Sequence, residues 1–369
     1  MAGALTSSST IFNTIGIITA TIFLIRALNL IAIYLRPSRL SRYAHTSPSG
    51  REPWALVTGS SDGIGLAMAR ELASAGLNVI IHGRNGEKLS RVRDSLQKAF
   101  PKRSFRVLVA DASAVACVAH APSQAQSELL AHGTAETPEV AAKPVNFEAI
   151  RSQLKNIHLT ILINNVGGGP RSPRFVPLTE MPEQKLISNI SLNALFPLNL
   201  TRALLPLLKR NSYGNKPTLV LNVSTLIDTG VPLLCSYSAS KAFIMAFTRA
   251  VRWELAMEKG EKEEEEGEGG GGNGDVEVLG VRVGRVTDAD GSTAPPSFFM
   301  PDSRTMAKAA LARAGYGYGV VVGYWKHALL YYCNACVVAV APRWAGDGIL
   351  MAAMRREREA DERDSQRNR

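Results

Sequence analysis

From Trp54 onward, short apolar runs alternate with amphipathic helical runs, and no other feature restricts the fold as far. "WALVTG" reads as a strand and "GLAMARELASAG" as a helix closed by Gly76. "NVIIHG" is a second strand, "EKLSRVRDSLQKAF" a second helix, "SFRVLVAD" a third strand, "LTILINNVG" a fourth and "PTLVLNVS" a fifth. Apolar strands in alternation with helices imply parallel strands joined by right-handed crossovers. The expected fold class is α/β, a doubly wound parallel sheet, and 369 residues leave room for one such domain plus appendages.

The first appendage is the run from Ile11 to Leu35, "IFNTIGIITATIFLIRALNLIAIYL", about 25 residues and long enough to cross a bilayer as a helix. It lacks a basic segment in front and a small-x-small cleavage site, which argues for an N-terminal membrane-anchor helix over a cleaved signal peptide. Arg26 opposes insertion at about 2.5–3.5 kcal/mol, but it sits past the midpoint, within reach of the interface. Arg36, Arg39 and Arg42 follow at once, and that basic flank places the C-terminal bulk in the cytosol. The expected domains are an anchor over 1–35, a basic linker over 36–53, a main domain over 54–318, an apolar membrane-proximal segment over 319–354 and a charged, solvated tail over 355–369. Inside the main domain, the Ala-rich stretch over 112–146 reads as a surface insertion, and the Glu/Gly tract over 258–275 as disordered, since it cannot bury apolar surface. The clean run from Ala328 to Ala341 is only about 14 residues, so membrane contact or a buried helix is expected there rather than a crossing.

The formal net charge is +10, and the run over 258–269 carries seven Glu against two Lys, so the rest of the chain carries +15. Such a balance suits anionic membrane surfaces or phosphorylated ligands. No zinc-finger, homeodomain or aromatic RNA-binding signature accompanies it, so no nucleic-acid partner is expected. The four cysteines, Cys117, Cys235, Cys333 and Cys336, suit a reducing compartment without a disulfide framework. Cys333 and Cys336 form a C-x-x-C with no second ligand pair, so they read as buried small hydrophobes and no metal site is expected.

Two motifs carry chemistry. "VTGSSDGIG" runs from the first strand into the first helix, with Gly59, Gly63 and Gly65 where missing side chains let the backbone approach a pyrophosphate at the helix N-terminus. A merely tight strand-to-helix turn also explains the glycines, and it is their position that favours the phosphate. In "YSASK", Tyr237 and Lys241 stand four residues apart, one helical turn. Either they are a surface pair without chemistry, or the ammonium lowers the phenol pKa and makes Tyr237 a proton donor usable near neutrality.

The spacing T-G-x-x-x-G-x-G resembles the short-chain dehydrogenase/reductase family, and further elements match that family in the same order. "NNVG", Asn164 to Gly167, stands for its N-N-A-G, Asn193 in "ISLNALFPLNL" for its helix asparagine, and Ser224, thirteen residues before Tyr237, for its serine; Tyr237 and Lys241 match its Y-x-x-x-K. The resemblance covers roughly Trp54 to Val286 and implies a Rossmann-type fold and an NADP-dependent oxidoreductase interconverting C=O and CH–OH. In the chemistry it implies, Tyr237 protonates the carbonyl oxygen as NADPH delivers hydride, Lys241 depresses the phenol pKa and holds the ribose, Ser224 polarises the carbonyl, and Asn193 supports a water relay. The implied cofactor-binding residues are Thr58, Gly59, Ser60, Ser61, Asp62, Gly63, Ile64 and Gly65 in the turn, Arg84, Asp111, Asn165, Val166 and Gly167, together with Tyr237 and Lys241. The second strand ends "IIHGRN", where Gly83 replaces the acid that grips a ribose 2′-hydroxyl in NAD enzymes and Arg84 follows; NADPH is therefore the expected cofactor.

The anchor, "NNVG", "VPLLCSYSASK" and the later "PSFFMPDSRTMAKAAL" and "GYWKHALL" resemble one branch, the membrane-bound very-long-chain 3-oxoacyl-CoA reductases and related 17β-hydroxysteroid dehydrogenases, in a fungal-looking form. That likeness implies a ketoreductase of fatty-acid elongation in the endoplasmic reticulum membrane, single-pass, with a cytosolic catalytic domain, a lipid-type carbonyl substrate, and elongation-complex partners or a homo-oligomer. The alternatives are a reductase of steroids or other lipid carbonyls, and a non-catalytic NADPH-binding membrane subunit; the intact Asn193, Ser224, Tyr237 and Lys241 speak against the latter. Three departures stand out: Val283 replaces the proline of the family's P-G, in the loop over the nicotinamide; Thr225 stands beside Ser224; and "SQRNR" lacks a dilysine retrieval pattern.

Overall fold

Seven strands form one wholly parallel sheet in the order β3-β2-β1-β4-β5-β6-β7. They are β1 (Trp54–Val57), β2 (Asn78–Gly83), β3 (Phe105–Val109), β4 (Leu159–Asn164), β5 (Thr218–Thr225), β6 (Val276–Val283) and β7 (Val320–Val322). The structure, a computed structural model, describes residues 2–115, 144–169, 174–266, 275–288, 295–340 and 342–367. Helices α2 (Gly63–Ser74), α3 (Gly86–Ala99) and α8 (Ser303–Leu311) cover one face of the sheet; α4 (Phe147–Leu154), α6 (Phe196–Asn211) and α7 (Cys235–Glu266) cover the other. Successive strand residues feed opposite faces. Ala55, Val57, Ile161 and Ile163 join Met68, Leu72 and Met306 in one core, while Leu56 and Leu162 join Phe196, Leu200 and Leu204 in the other. Chain order reverses between the neighbours β1 and β4, and the crevice at the C-terminal ends of such strands is where doubly wound sheets bind ligands.

Several boundaries differ from those expected. β7 pairs with β6 from Gly280–Val320 to Arg282–Val322, so the domain runs past 318; its three valines are too short a run to signal a strand. The stretch expected as a basic linker is built into the domain. Tyr43 is fully buried and donates to Glu277 Oε2 at 2.6 Å, and Leu40 and His45 are buried too. Apolar surface that a solvated linker leaves wet is thereby removed from water. Glu258–Glu266, in the tract expected to be disordered, continue α7. Glu and Lys are strong helix formers, and extending an existing helix avoids the cost of nucleation. The ion pairs Lys209–Glu258 and Lys259–Asp275 tie this end down. Residues 267–274 of the tract lie outside the described residues, as do 116–143 of the expected insertion, whose described ends meet where Val145 N donates to Ala114 O at 3.0 Å.

Helix α1 (Ala2–Leu35) contains one apolar stretch, Phe12–Leu35, long enough to cross a membrane; it is exposed from Phe12 to Arg26 and partly covered toward its end. Its last turn nevertheless touches the domain: Tyr34 Oη donates to Val322 O at 2.9 Å, and the Arg313 guanidinium donates to Ile33 O. The expected burial of Cys333 and Cys336 does not occur; both are exposed on α9 (Trp325–Val340), which buries its first turn at His327 and Ala328 and leaves Leu329, Leu330, Val337 and Val338 open. The charged tail lies on a helix, α10 (Arg343–Arg367), with Arg355, Arg356, Glu359, Glu362 and Arg363 exposed. An i,i+4 pair, Arg358–Glu362 at 2.8 Å, supports it, and Arg285–Glu357 at 2.9 Å ties it to the domain.

Candidate active site

β1 ends at Val57, and the turn that follows passes through Thr58 to Gly59, whose φ of +64° is left-handed and favours glycine. Thr58 Oγ1 donates to Ile163 O at 3.1 Å and accepts from the backbone N–H groups of Asn165 at 2.9 Å and Val166 at 3.0 Å. Asn165 Nδ2 returns to Thr58 O at 3.0 Å and Gly59 O at 3.3 Å. The turns after β1 and β4 are thus stitched together across the switch point. A Cβ at Gly65 would stand 2.2 Å from Gly59 O, so only glycine lets α2 begin this close to the turn. Asp62 caps α2 by accepting from Gly63 N at 2.9 Å and pairs with Lys88 Nζ at 2.7 Å; the Lys88 bond holds the Asp62 carboxyl below its usual range. Lys88 therefore offsets a carboxylate that opposes an anion at this helix N-terminus. Ser60 is buried and spends its hydroxyl internally, donating to Val57 O at 2.8 Å and accepting from His82 N at 2.9 Å. Ser61, Gly63 and Ile64 lie half-buried in the turn.

Asn193 sits in a π-helical turn, Ser191–Leu195, between α5 (Glu183–Ile190) and α6. Such a turn inserts a residue into a helix and swings a side chain off its regular face. Asn193 Oδ1 accepts from Gly168 N at 3.1 Å, and its Nδ2 donates to Gly168 O at 3.0 Å and Asn189 O at 2.9 Å. β5 brings Ser224, whose Oγ donates to Lys241 O at 3.0 Å, and Lys241 Nζ donates to Val223 O at 3.2 Å. Lys241 Nζ lies 6.0 Å from the centroid of the Tyr237 ring, one turn earlier on α7. Asn193, Ser224 and Lys241 are buried and Tyr237 is half-buried. Gly167 forms the floor: a Cβ there would stand 2.6 Å from Lys241 Nζ and 2.7 Å from Asn193 Oδ1. Asn193 and Lys241 thus meet at the turn that follows β4, and Ser224 joins them through the backbone of Lys241.

Arg84 is exposed just past the C-terminal end of β2, and Asp111 Oδ1 accepts from Ser113 N at 3.0 Å and Ser113 Oγ at 2.7 Å. His82, Lys88 and Asn189 were not singled out in the sequence. His82 is buried beneath the glycine turn, where its Nδ1 accepts from Gly59 N at 3.3 Å and its ring stacks on Phe196, and burial lowers its pKa to about 4. A histidine in an otherwise aliphatic strand was the available signal; the partners of Lys88 and Asn189 lie 26 and 21 residues away and had none. Beside Tyr237, Val176, Leu178, Met181, Leu186 and Leu234 gather with Cys235 and Ser236 around a small cavity. A dinucleotide fits these residues: backbone opens at the N-terminus of α2 for phosphate, and Lys241 stands over a glycine floor.

The family description "short chain dehydrogenase" matches residues 53–134 and 139–259. A very-long-chain 3-oxoacyl-CoA reductase of Emericella nidulans is 26% identical over 301 residues, 79% of this chain and 72% of that protein. One of Eremothecium gossypii is 29% identical over 343 residues, 90% of this chain and 83% of that protein. Among solved structures, a short-chain dehydrogenase from Sphingobium yanoikuyae in complex with NADPH shares the fold with a TM-score of 0.54, at 16% identity over 79% of this chain and 96% of that one. A bulky-bulky ketone specific alcohol dehydrogenase from Comamonas testosteroni does so with a TM-score of 0.52, at 18% identity over 79% and 95%. The matched segments take in the glycine turn, the floor at Gly167 and every residue gathered on it, and the chain belongs to the short chain dehydrogenase family of oxidoreductases.

Proposed function

We propose that the protein is an NADPH-dependent ketoreductase that converts a 3-oxoacyl-CoA into a 3-hydroxyacyl-CoA during very-long-chain fatty-acid elongation. The observation that carries the reading is that Asn193 and Lys241 meet at the Gly167 turn, with Ser224 bonded to the Lys241 backbone and Tyr237 one helical turn before it. When bound, the nicotinamide supplies the hydride. Tyr237 Oη gives its proton to the carbonyl oxygen, and the ammonium of Lys241 offsets the phenolate charge left behind. Ser224 Oγ, by turning its proton from Lys241 O to the ligand, hydrogen-bonds and orients the carbonyl, and Asn193 fixes the Gly168 backbone and supports a water path that reprotonates Tyr237 through Lys241. Arg84 meets the 2′-phosphate, with Gly83 leaving room where an acid would repel it.

The acyl-CoA substrate is carried over from the names of the relatives. In this reading α1 anchors the protein in the endoplasmic reticulum membrane with the domain in the cytosol, so an acyl chain stays near the bilayer while its thioester reaches the site. The test is NADPH oxidation by the purified protein with a long-chain 3-oxoacyl-CoA against a steroid ketone. Turnover of the thioester is expected. Preference for the steroid would replace the substrate assignment, and NADPH binding with neither ketone reduced would point to a non-catalytic subunit.

A further inference from the structure

His327 is buried, 1% exposed, and lies apart from the residues assigned above. Both of its ring nitrogens are used. Nδ1 accepts from Gly284 N at 3.1 Å, which places the ring proton on Nε2, and Nε2 donates to Phe299 O at 3.0 Å. The ring lies flush on Gly284: a Cβ there would stand 2.9 Å from Cδ2 and from Nε2 of His327. Gly284 leaves β6 at the active-site edge of the sheet. Its neighbour Val283 pairs with Thr225, Arg282 pairs with Ser224, and Leu226 N donates to Val283 O at 3.2 Å. On the other side of His327, Phe298 and Phe299 meet edge to face at 4.9 Å, Trp325 meets Phe298 at 6.1 Å, and Lys326 Nζ stands 4.1 Å over the Phe298 ring. These aromatics are about half exposed, at 54%, 42% and 48% for Phe298, Phe299 and Trp325.

We infer that His327 is a positioning residue for the reaction: through Gly284 it fixes the loop leaving β6 beside Ser224, and through Phe299 it ties that loop to the exposed aromatic face at the start of α9. β6 ends at Val283, and the imidazole bridge is the first tie on the loop beyond it; farther along, Thr287 N donates to Pro301 O at 3.0 Å and Ser303 Oγ to Asp288 Oδ1 at 2.9 Å. The inference rests on the reductase reading for its consequence in catalysis, but not for its geometry.

The test compares His327→Phe, which keeps a flat ring and loses both hydrogen bonds, with His327→Asn, whose Oδ1 can accept from Gly284 N. Three measurements are made on the full-length protein: the NADPH dissociation constant, hydrogen exchange over 284–288 and 297–300, and kcat with a 3-oxoacyl-CoA. His327→Phe is expected to speed exchange in both segments, to weaken NADPH, and to lower kcat on the order of tenfold, as misplaced groups do. His327→Asn is expected to recover the 284–288 protection and much of the affinity, which a merely structural role would not arrange. Should His327→Phe fail to fold, Gly284→Ala pushes the ring from the other side and is expected to give the same pattern. NADPH affinity and exchange at wild-type levels in these variants, or equal losses in Phe and Asn, would overturn the inference. A wild-type protein that binds NADPH yet reduces no 3-oxoacyl-CoA overturns the substrate reading alone, because affinity and exchange need no ketone.

Discussion

At the residue scale, Tyr237 carries the proton in the reading above, and its hydroxyl is the one atom that Tyr237→Phe removes. Turnover is expected to fall by about 10²–10⁴-fold with NADPH affinity retained, and wild-type turnover in that variant would reassign the acid. Gly83 bears on cofactor choice. A Cβ there comes no closer than 3.6 Å to its nearest neighbours, the Leu89 methyls and Ser61 Oγ, so the first carbon of Gly83→Asp is accommodated. Combined with Arg84→Ser it removes a charge-assisted bond and adds a repulsion, so the NADPH-over-NADH preference is expected to drop by about tenfold or more. Steady-state constants for both cofactors decide this, and an unmoved ratio would place the 2′-phosphate contact elsewhere. The Tyr237–Lys241 pair was legible because the two residues stand one helical turn apart, whereas Asn193 and Ser224 were picked out only by the family resemblance. What each side chain spends its polar atoms on was not legible. Ser60 and Asn165 hydrogen-bond the protein's own backbone, and Asp62 pairs with Lys88.

At the element scale, α1 is both a candidate anchor and a docked element. Tyr34 and Ile33 hydrogen-bond the domain, whereas the residues before them stand clear of it. Removing residues 1–30 is expected to release part of the protein from membranes without changing its Tm, because those two contacts survive. Removing 1–35 is expected to lower Tm as well, each lost hydrogen bond contributing about 1 kcal/mol. Equal Tm values for the two truncations would show that the docking contacts contribute nothing measurable. Complete retention of both on membranes would assign the attachment to α9, whose apolar side chains are open. The sheet strands were legible as elements because runs of Val, Ile and Leu buried on both faces leave a clear mark. β7 left none, since it is a three-residue edge strand defined only by its pairing with β6.

At the scale of the whole molecule, burial holds His45, His82, His158 and His327 below the ordinary imidazole value. Unfolded, these rings take up protons near pH 6.5; folded, His82 stays neutral down to about 4. The unfolded chain binds more protons across that window, so stability is complete above about pH 6.5 and is lost as pH falls toward 4. His82 alone, fully buried, accounts for on the order of 3 kcal/mol of that loss. Tm measured between about pH 7 and about pH 5 should therefore fall less steeply in His82→Asn than in wild type, and parallel curves would exclude His82 as a source. The sequence by itself determined the α/β class, the glycine turn at the first strand and the one-turn spacing of Tyr237 and Lys241, because these rest on periodicities of two and 3.6 and on spacings within single elements. Only the tertiary structure decided that Leu40, Tyr43 and His45 of the stretch expected as a linker are buried, that the acidic tract begins as helix, that Asn193 and Lys241 meet at Gly167 with Ser224 on the Lys241 backbone, and that His327 reaches back to Gly284. Those contacts join residues far apart in the chain, and nothing in local pattern records which distant group will fill a given polar atom or cover a given apolar face.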